Sequence, residues 1–232
     1  MRYPFSFPAP APVTVPIAGS ADQFPVRRIY CIGRNYADHA REMGGDPTRE
    51  APFYFAKPAD AIVASGSTIA YACGTKNLAY EIELVVAIGK AGKDIAVAQA
   101  LEHVYGYAVG LDLTRRDLQG LAKDKGRPWE AGKGFDQSAP ISAIHPVAAI
   151  GHPLNSSIWF KLNGELKQDA HTSQMTWSVA EVIAHLSQLN QLMPGDLIFT
   201  GTPAGVGAIQ PGDHLHGGVD GVDEITLRIA AH

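Results

Sequence analysis

Two glutamates stand two residues apart inside a run that otherwise reads as a buried strand, Tyr80-Glu81-Ile82-Glu83-Leu84-Val85-Val86-Ala87-Ile88. Side chains two apart on a strand point to one face, about 7 Å apart along it. Two carboxylates side by side on an apolar strand repel each other and lose hydration, so the fold must bring positive charge to them. A divalent cation with oxygen ligands does so directly, and carboxylates select Mg²⁺, Mn²⁺ or Ca²⁺ over zinc. Asp112, in Gly110-Leu111-Asp112-Leu113-Thr114, closes a second apolar run from Tyr105 to Leu113 and is the natural third ligand. The competing reading is a solvated edge strand that carries two ordinary acids.

A chain of 232 residues has room for one large domain, or for one domain with a small appendage. Apolar residues make up 46 % and charged residues 18 %, which argues against a disordered chain. The net charge is −4 and no basic block exists, so nucleic acid is not an expected partner. No apolar run approaches the roughly 20 residues of a membrane span. The start, Met1-Arg2-Tyr3-Pro4-Phe5, lacks the apolar core of a signal peptide. Cys31 and Cys73 form neither a disulfide framework nor a zinc pattern, so the expectation is two reduced thiols in a cytoplasmic protein.

No internal repeat and no linker between comparable halves is visible. The alternating prolines of Phe5-Ser6-Phe7-Pro8-Ala9-Pro10-Ala11-Pro12 exclude a helix there and point to an extended arm packed on the body or on a partner subunit, the alternative being a flexible tail. Strands are expected over 26–33, 52–58, 61–64 and 68–72, a turn over 89–93, and a short helix over 97–103. Thr114-Arg115-Arg116-Asp117 reads as a capping box opening a helix that Gly126 and Pro128 end. Ser178-Val179-Ala180-Glu181 is a second box, opening a helix with Val182, Ile183, Leu186 and Leu189 on one stripe. Met193 to Asp196 turns into a strand, Leu197 to Thr200, and Asn163-Gly164 signals a hairpin. Many short strands and two substantial helices predict a strand-rich α+β domain, a sandwich or roll with peripheral helices.

Other segments carry candidate chemistry. In Gly33-Arg34-Asn35-Tyr36-Ala37-Asp38-His39-Ala40-Arg41-Glu42-Met43-Gly44-Gly45, His39 and Glu42 are three apart and share a helix face. A carboxylate beside an imidazole orients it and makes it a better base, and flanking glycines suit a segment that orders over a ligand. The alternative is an exposed polar turn. Lys133, between Gly132 and Gly134, can approach an anionic ligand closely, although surface-loop lysines are common. The backbone N–H groups and hydroxyls of Thr200-Gly201-Thr202-Pro203-Ala204-Gly205-Val206-Gly207 suit a carboxylate, but the loop has neither a Walker nor a Rossmann context. His214-Leu215-His216, among glycines, reads as a solvated turn rather than a metal site.

Together these segments resemble the fumarylacetoacetate hydrolase family. The matching pieces are residues 33–39, Phe55-Ala56-Lys57-Pro58, Tyr80-Glu81-Ile82-Glu83-Leu84, Gly110 to Asp117, Arg127-Pro128-Trp129, Asn163-Gly164-Glu165 and Asp196 to Pro203. They run from about residue 27 to the C-terminus, which sets the expected division into an extended arm, 1–26, and a catalytic domain, 27–232. Within the family the chain looks like the compact acylpyruvases, closest to bacterial fumarylpyruvate hydrolases of gentisate breakdown. The stretch from Asp213 to Asp223, rich in Gly and His, departs from the family pattern, away from the metal motif.

The resemblance implies a mixed β-sandwich or roll, a homodimer, and Mg²⁺ or Mn²⁺ on Glu81, Glu83 and Asp112. His39 and Glu42 match the family's water-activating pair on a mobile lid, and Lys133 and Thr202 match substrate contacts, with Arg116 and Gln119 as secondary ones. The implied substrate is a 2,4-dioxo acid: water activated by His39 attacks C4, the C3–C4 bond breaks, and the pyruvate enolate leaves beside Lys133. The same residues suit oxaloacetate decarboxylation, or isomerisation or hydration of 2-oxo-diene acids. A noncatalytic module that binds 2-oxo acids would not need the His39–Glu42 pair. Arg34, Arg116 and Arg127 are three candidates for a distal carboxylate.

Overall fold

A computed structural model describes residues 6–42 and 51–231. The Gly44-Gly45 bracket of the polar segment lies outside these residues. The main sheet has eight strands. Seven lie in the order Phe53–Lys57, Arg28–Gly33, Asp196–Phe199, Ile82–Ile88, Val104–Leu111, Ala139–Ile141 and Ile62–Ala64, and His145–Pro146 pairs onto Val104–Leu111. The sheet is mixed: Asp196–Phe199 runs parallel to Arg28–Gly33, and Ala139–Ile141 parallel to Ile62–Ala64. A second, five-stranded sheet contains Glu165–His171, Ser157–Leu162, His214–Val219, Asp223–Ile229 and Thr68–Ile69. The expected strand-rich α+β roll is the observed architecture.

Ile82–Ile88 is buried on both faces, and its period of two divides the interior. Ile82, Leu84, Val86 and Ile88 enter the large core shared with the second sheet, whose members include Phe160, Ile225 and Leu227. Val85 and Ala87 enter a smaller core on the other face, with Cys31, Ala108 and Phe199. The ribbon Thr14–Pro16 with Gln23–Pro25 caps that smaller core through Val15, Ile17 and Phe24. The chain from Val13 onward is therefore seated on the body.

The turns follow from their residues. Asn163 and Gly164 both take positive φ, as a type I′ hairpin requires. Ser178 and Glu181 form the reciprocal capping box of the helix Val179–Leu189. On that helix Val182, Ile183 and Leu186 are buried, but Leu189 is 60 % exposed, because its final turn projects past the core. The segment 97–103 is a 3₁₀ helix. His214–Val219 is a strand rather than a turn. Its glycines, Gly217 and Gly218, face Phe160 and Trp159 across the ladder, where the tightness of the sheet excludes larger side chains. His216 accordingly binds Glu224 and packs edge-on to Trp159.

The Thr114 capping box does not form. Arg115 occupies the N-cap of the helix Arg116–Asp124 and makes no side-chain cap. The Thr114 hydroxyl is buried, accepts a hydrogen bond from Lys133 Nζ at 2.6 Å and donates to the Asp112 carbonyl. A charge-assisted bond in a dry interior outcompetes a neutral cap. Asp117 instead accepts from Thr75 Oγ1, the Lys76 N–H and the Leu118 N–H.

Candidate active site and metal centre

Strand register assembles the acidic cluster. Glu83 pairs with Gly110, and Val85 with Ala108, so Asp112 continues the same face one step beyond. Glu81 sits in a break between Leu78–Tyr80 and Ile82–Ile88, and its carbonyl accepts from the Asp112 N–H at 2.9 Å. All three carboxylates are buried, and one oxygen of each lies within 4.8 Å of the others.

Three cations meet them. Lys133, on the one-turn helix Glu130–Lys133, is fully buried and donates to Glu81 Oε2 at 2.8 Å and Asp112 Oδ2 at 2.6 Å, besides Thr114. Arg116 Nη2 donates to Glu81 Oε1 at 2.5 Å, and its Nη1 to Gln119 Oε1 at 2.8 Å. Lys57 Nζ lies 2.9 Å from Asp112 Oδ1 and donates to the carbonyls of Leu113 and Lys133. Burial raises the Glu81 carboxyl, but Lys133, Arg116 and His39 outweigh it and hold it well below the usual range. Glu83 goes the other way: burial, then Asp112 and Glu81, push it well above that range, against one backbone N–H from Gly201.

This donor set fits a divalent cation. Three hard oxygens converge, Glu83 has no side-chain cation bonded to it among the described residues, and Asp112 Oδ1 is buried without an aligned hydrogen-bond donor among them, since Lys57 approaches it off the bonding direction. Glu81, Glu83 and Asp112 are the residues that could hold the ion.

The same cavity, about 270 Å³, is lined by His39, Lys133, Arg116, Gln119 and Thr202 as well as the three acids. His39 is buried on the short helix Ala37–Glu42, its Nδ1 3.2 Å from Glu42 Oε2. Glu42 is also held by the Gly205 N–H at 3.2 Å. The loop after Asp196–Phe199 suits a carboxylate, and its N–H groups at Gly201 and Gly205 hold the protein's own, Glu83 and Glu42. Gly205 has φ +96°, and an added Cβ would lie 2.0 Å from the Lys167 carbonyl, so only glycine fits. Arg127 is exposed and outside the cavity, whereas Arg34 lines it.

Sequence reasoning gave no role to three buried residues. Lys57 lies in a segment singled out only for its resemblance, and an isolated lysine on a strand carries no signal of burial. Gln168 is the buried residue of an otherwise half-exposed strand. Its Oε1 accepts from the Ile82 N–H at the break beside Glu81, and its Nε2 donates to Thr202 Oγ1 and the Pro203 carbonyl. Asn35 donates to the carbonyls of Thr200 and Trp177 and accepts from the Trp177 N–H, fastening the His39 segment to the loop.

The profile of the fumarylacetoacetate (FAA) hydrolase C-terminal family matches residues 28–230. A fumarylpyruvate hydrolase from Ralstonia sp is 47 % identical over 184 residues, 79 % of this chain and 95 % of that one. The mitochondrial oxaloacetate tautomerase FAHD1 of Bos taurus is 41 % identical over 203 residues, 88 % of this chain and 91 % of that one. The crystal structure of fumarylpyruvate hydrolase from Pseudomonas aeruginosa in complex with Mn²⁺ and pyruvate is 53 % identical. It superposes with a TM-score of 0.96, covering 99 % of this chain and 100 % of that one.

Lys57 has a fully buried side chain against Asp112, so Lys57→Met leaves a carboxylate short of a counter-charge. In buffer containing EDTA, chemical denaturation should show a loss of about 3–5 kcal/mol. A loss below 1 kcal/mol would show that the pair contributes little.

Proposed function

The chain belongs to the fumarylacetoacetate hydrolase family, and from that premise we propose that it is a metal-dependent hydrolase of 2,4-dioxo acids, cleaving fumarylpyruvate to fumarate and pyruvate. The observation that carries this reading is the meeting, in one cavity, of three buried carboxylates with an imidazole that a fourth carboxylate orients. Two relatives described as fumarylpyruvate hydrolases, at 47 % and 53 % identity, support it, and one of them binds Mn²⁺ and pyruvate.

Mg²⁺ or Mn²⁺ on Glu81, Glu83 and Asp112 would supply a Lewis acid for the 2-oxo-acid end of the substrate. Glu42 accepts from His39 Nδ1, which leaves the Nε2 lone pair as the base. His39 takes a proton from water as the oxygen attacks C4. The C3–C4 bond then breaks, its electrons pass into the pyruvate enolate, and protonation at C3 gives pyruvate. Lys133 has all three N–H bonds made to Glu81, Asp112 and Thr114, so it acts on the enolate through its charge. Arg116 and Gln119 hold Glu81 and the cavity wall, and Thr202 contacts substrate.

This reading carries the arm, 1–26, and catalytic unit, 27–232, into a homodimeric cytoplasmic enzyme of gentisate-type aromatic breakdown. No helix among the described residues is long and apolar enough to cross a membrane. A second reading is oxaloacetate chemistry, favoured by the 41 % identical oxaloacetate tautomerase. It needs no attacking water.

EDTA should abolish turnover of fumarylpyruvate, and Mg²⁺ or Mn²⁺ should restore it, with Glu83→Ala losing Mn²⁺ binding as well as rate. Full activity of metal-stripped enzyme would remove the ion from the scheme. His39→Ala should lower fumarylpyruvate hydrolysis by about 10²–10⁴-fold and leave any oxaloacetate decarboxylation largely intact. Hydrolysis at the wild-type rate would move the oxaloacetate reading to first place. Light scattering at micromolar concentration should give twice the chain mass; monomer alone would refute the dimer.

A further inference from the structure

The cavity has a second cationic end, reached along an aromatic wall. Lys133 Nζ lies 4.9 Å from the centroid of Phe55. Phe55 touches Trp129 at 5.8 Å, and Trp129 touches Phe53 at 5.5 Å, edge-on. Arg34 stands 5.8 Å from the Phe53 centroid and lines the cavity. Phe53 and Phe55 are two apart on one strand, about 7 Å along it, and both meet Trp129, so they share a face. The row therefore runs from the lysine beside the acidic cluster to an arginine at the opposite end.

Of the three arginines that could meet a distal carboxylate, the other two are disqualified. Arg116 is committed to Glu81 and Gln119, and Arg127 lies outside the cavity. Arg34 has no carboxylate partner among the described residues. Its φ is +55°, a left-handed conformation that costs a non-glycine residue free energy and persists where the surroundings impose it. Here they do. Asn35 is bonded on three sides, and Gly33 admits the Phe53 ring so closely that an added Cβ would lie 2.2 Å from it.

We propose that Arg34 is the specificity-determining residue for the acyl group: it binds the distal carboxylate of a planar, conjugated 2,4-dioxo dicarboxylate laid along Phe55 and Trp129. This rests on the hydrolase reading and deepens it. A guanidinium matches a carboxylate with two N–H donors, and the aromatic faces receive the flat enoyl segment between the two charged ends. An acylpyruvate without a distal charge would leave Arg34 unused.

The test compares pyruvate release from fumarylpyruvate and from acetylpyruvate, in wild type, Arg34→Met, Arg34→Lys and Lys123→Met, each checked for folding by circular dichroism. Arg34→Met should lower the ratio of kcat/KM for fumarylpyruvate over acetylpyruvate roughly 10–100-fold. Arg34→Lys, which keeps the charge, should recover part of that ratio, and serves alone if the methionine variant does not fold, with a fall of at least threefold expected. Lys123→Met, at the same cavity, should change it less than threefold. An unchanged ratio in both Arg34 variants, or a larger fall in Lys123→Met, overturns the assignment. Wild-type enzyme that releases pyruvate from neither substrate overturns the hydrolase reading itself, so the two failures are distinct.

Discussion

Everything at the centre of this protein is arranged around three carboxylates taken out of water together. An unpaired buried charge is too costly to persist, so the fold brings its cations to them. Lys57 comes from an edge of the main sheet, Arg116 from a surface helix, and Lys133 from a single helical turn. The single turn lies between the other two elements, packed against both, and the Lys133 carbonyl accepts from Lys57. Their convergence also explains why Thr114 leaves its cap position. Among the described residues Glu83 is the member without a side-chain cation partner, and that asymmetry leaves the cluster able to accept an ion where a closed salt-bridge network could not.

The His39–Glu42 pair is tied to the acidic cluster through one loop. Gly201 holds Glu83 and Gly205 holds Glu42, four residues apart. Asn35 and Gln168 brace that loop from opposite sides, one reaching back to the His39 segment, the other to the strand break at Glu81. The imidazole and the acidic cluster are thus set by the same short stretch of backbone, although they lie more than forty residues apart in the chain.

Periodicity made much of this legible. Glu81 and Glu83 stand out because an apolar strand is the wrong place for them, and the hairpin at Asn163-Gly164 and the box at Ser178 are local events that local residues decide. What failed depended on neighbours distant in sequence. Thr114 has the residues of a cap but faces Lys133. His214 and His216 sit among glycines that resemble turn glycines, yet those glycines serve close strand packing. Lys57 and Gln168 look like ordinary strand residues, and only the assembled sheets show what their heads reach. The three arginines looked equivalent in sequence and are separated by where their elements end.

The bonds from Gly201 and Gly205 come from main-chain N–H groups, which every residue but proline possesses. Side-chain change elsewhere in the loop does not remove them. Thr202, on the cavity wall between the two anchors, accepts the Gln168 brace and takes no part in the bonds that fix Glu83 and Glu42. A scaffold built this way separates what must stay constant from what can drift. The cavity wall can change by small steps, each made while Glu83 and Glu42 remain in place.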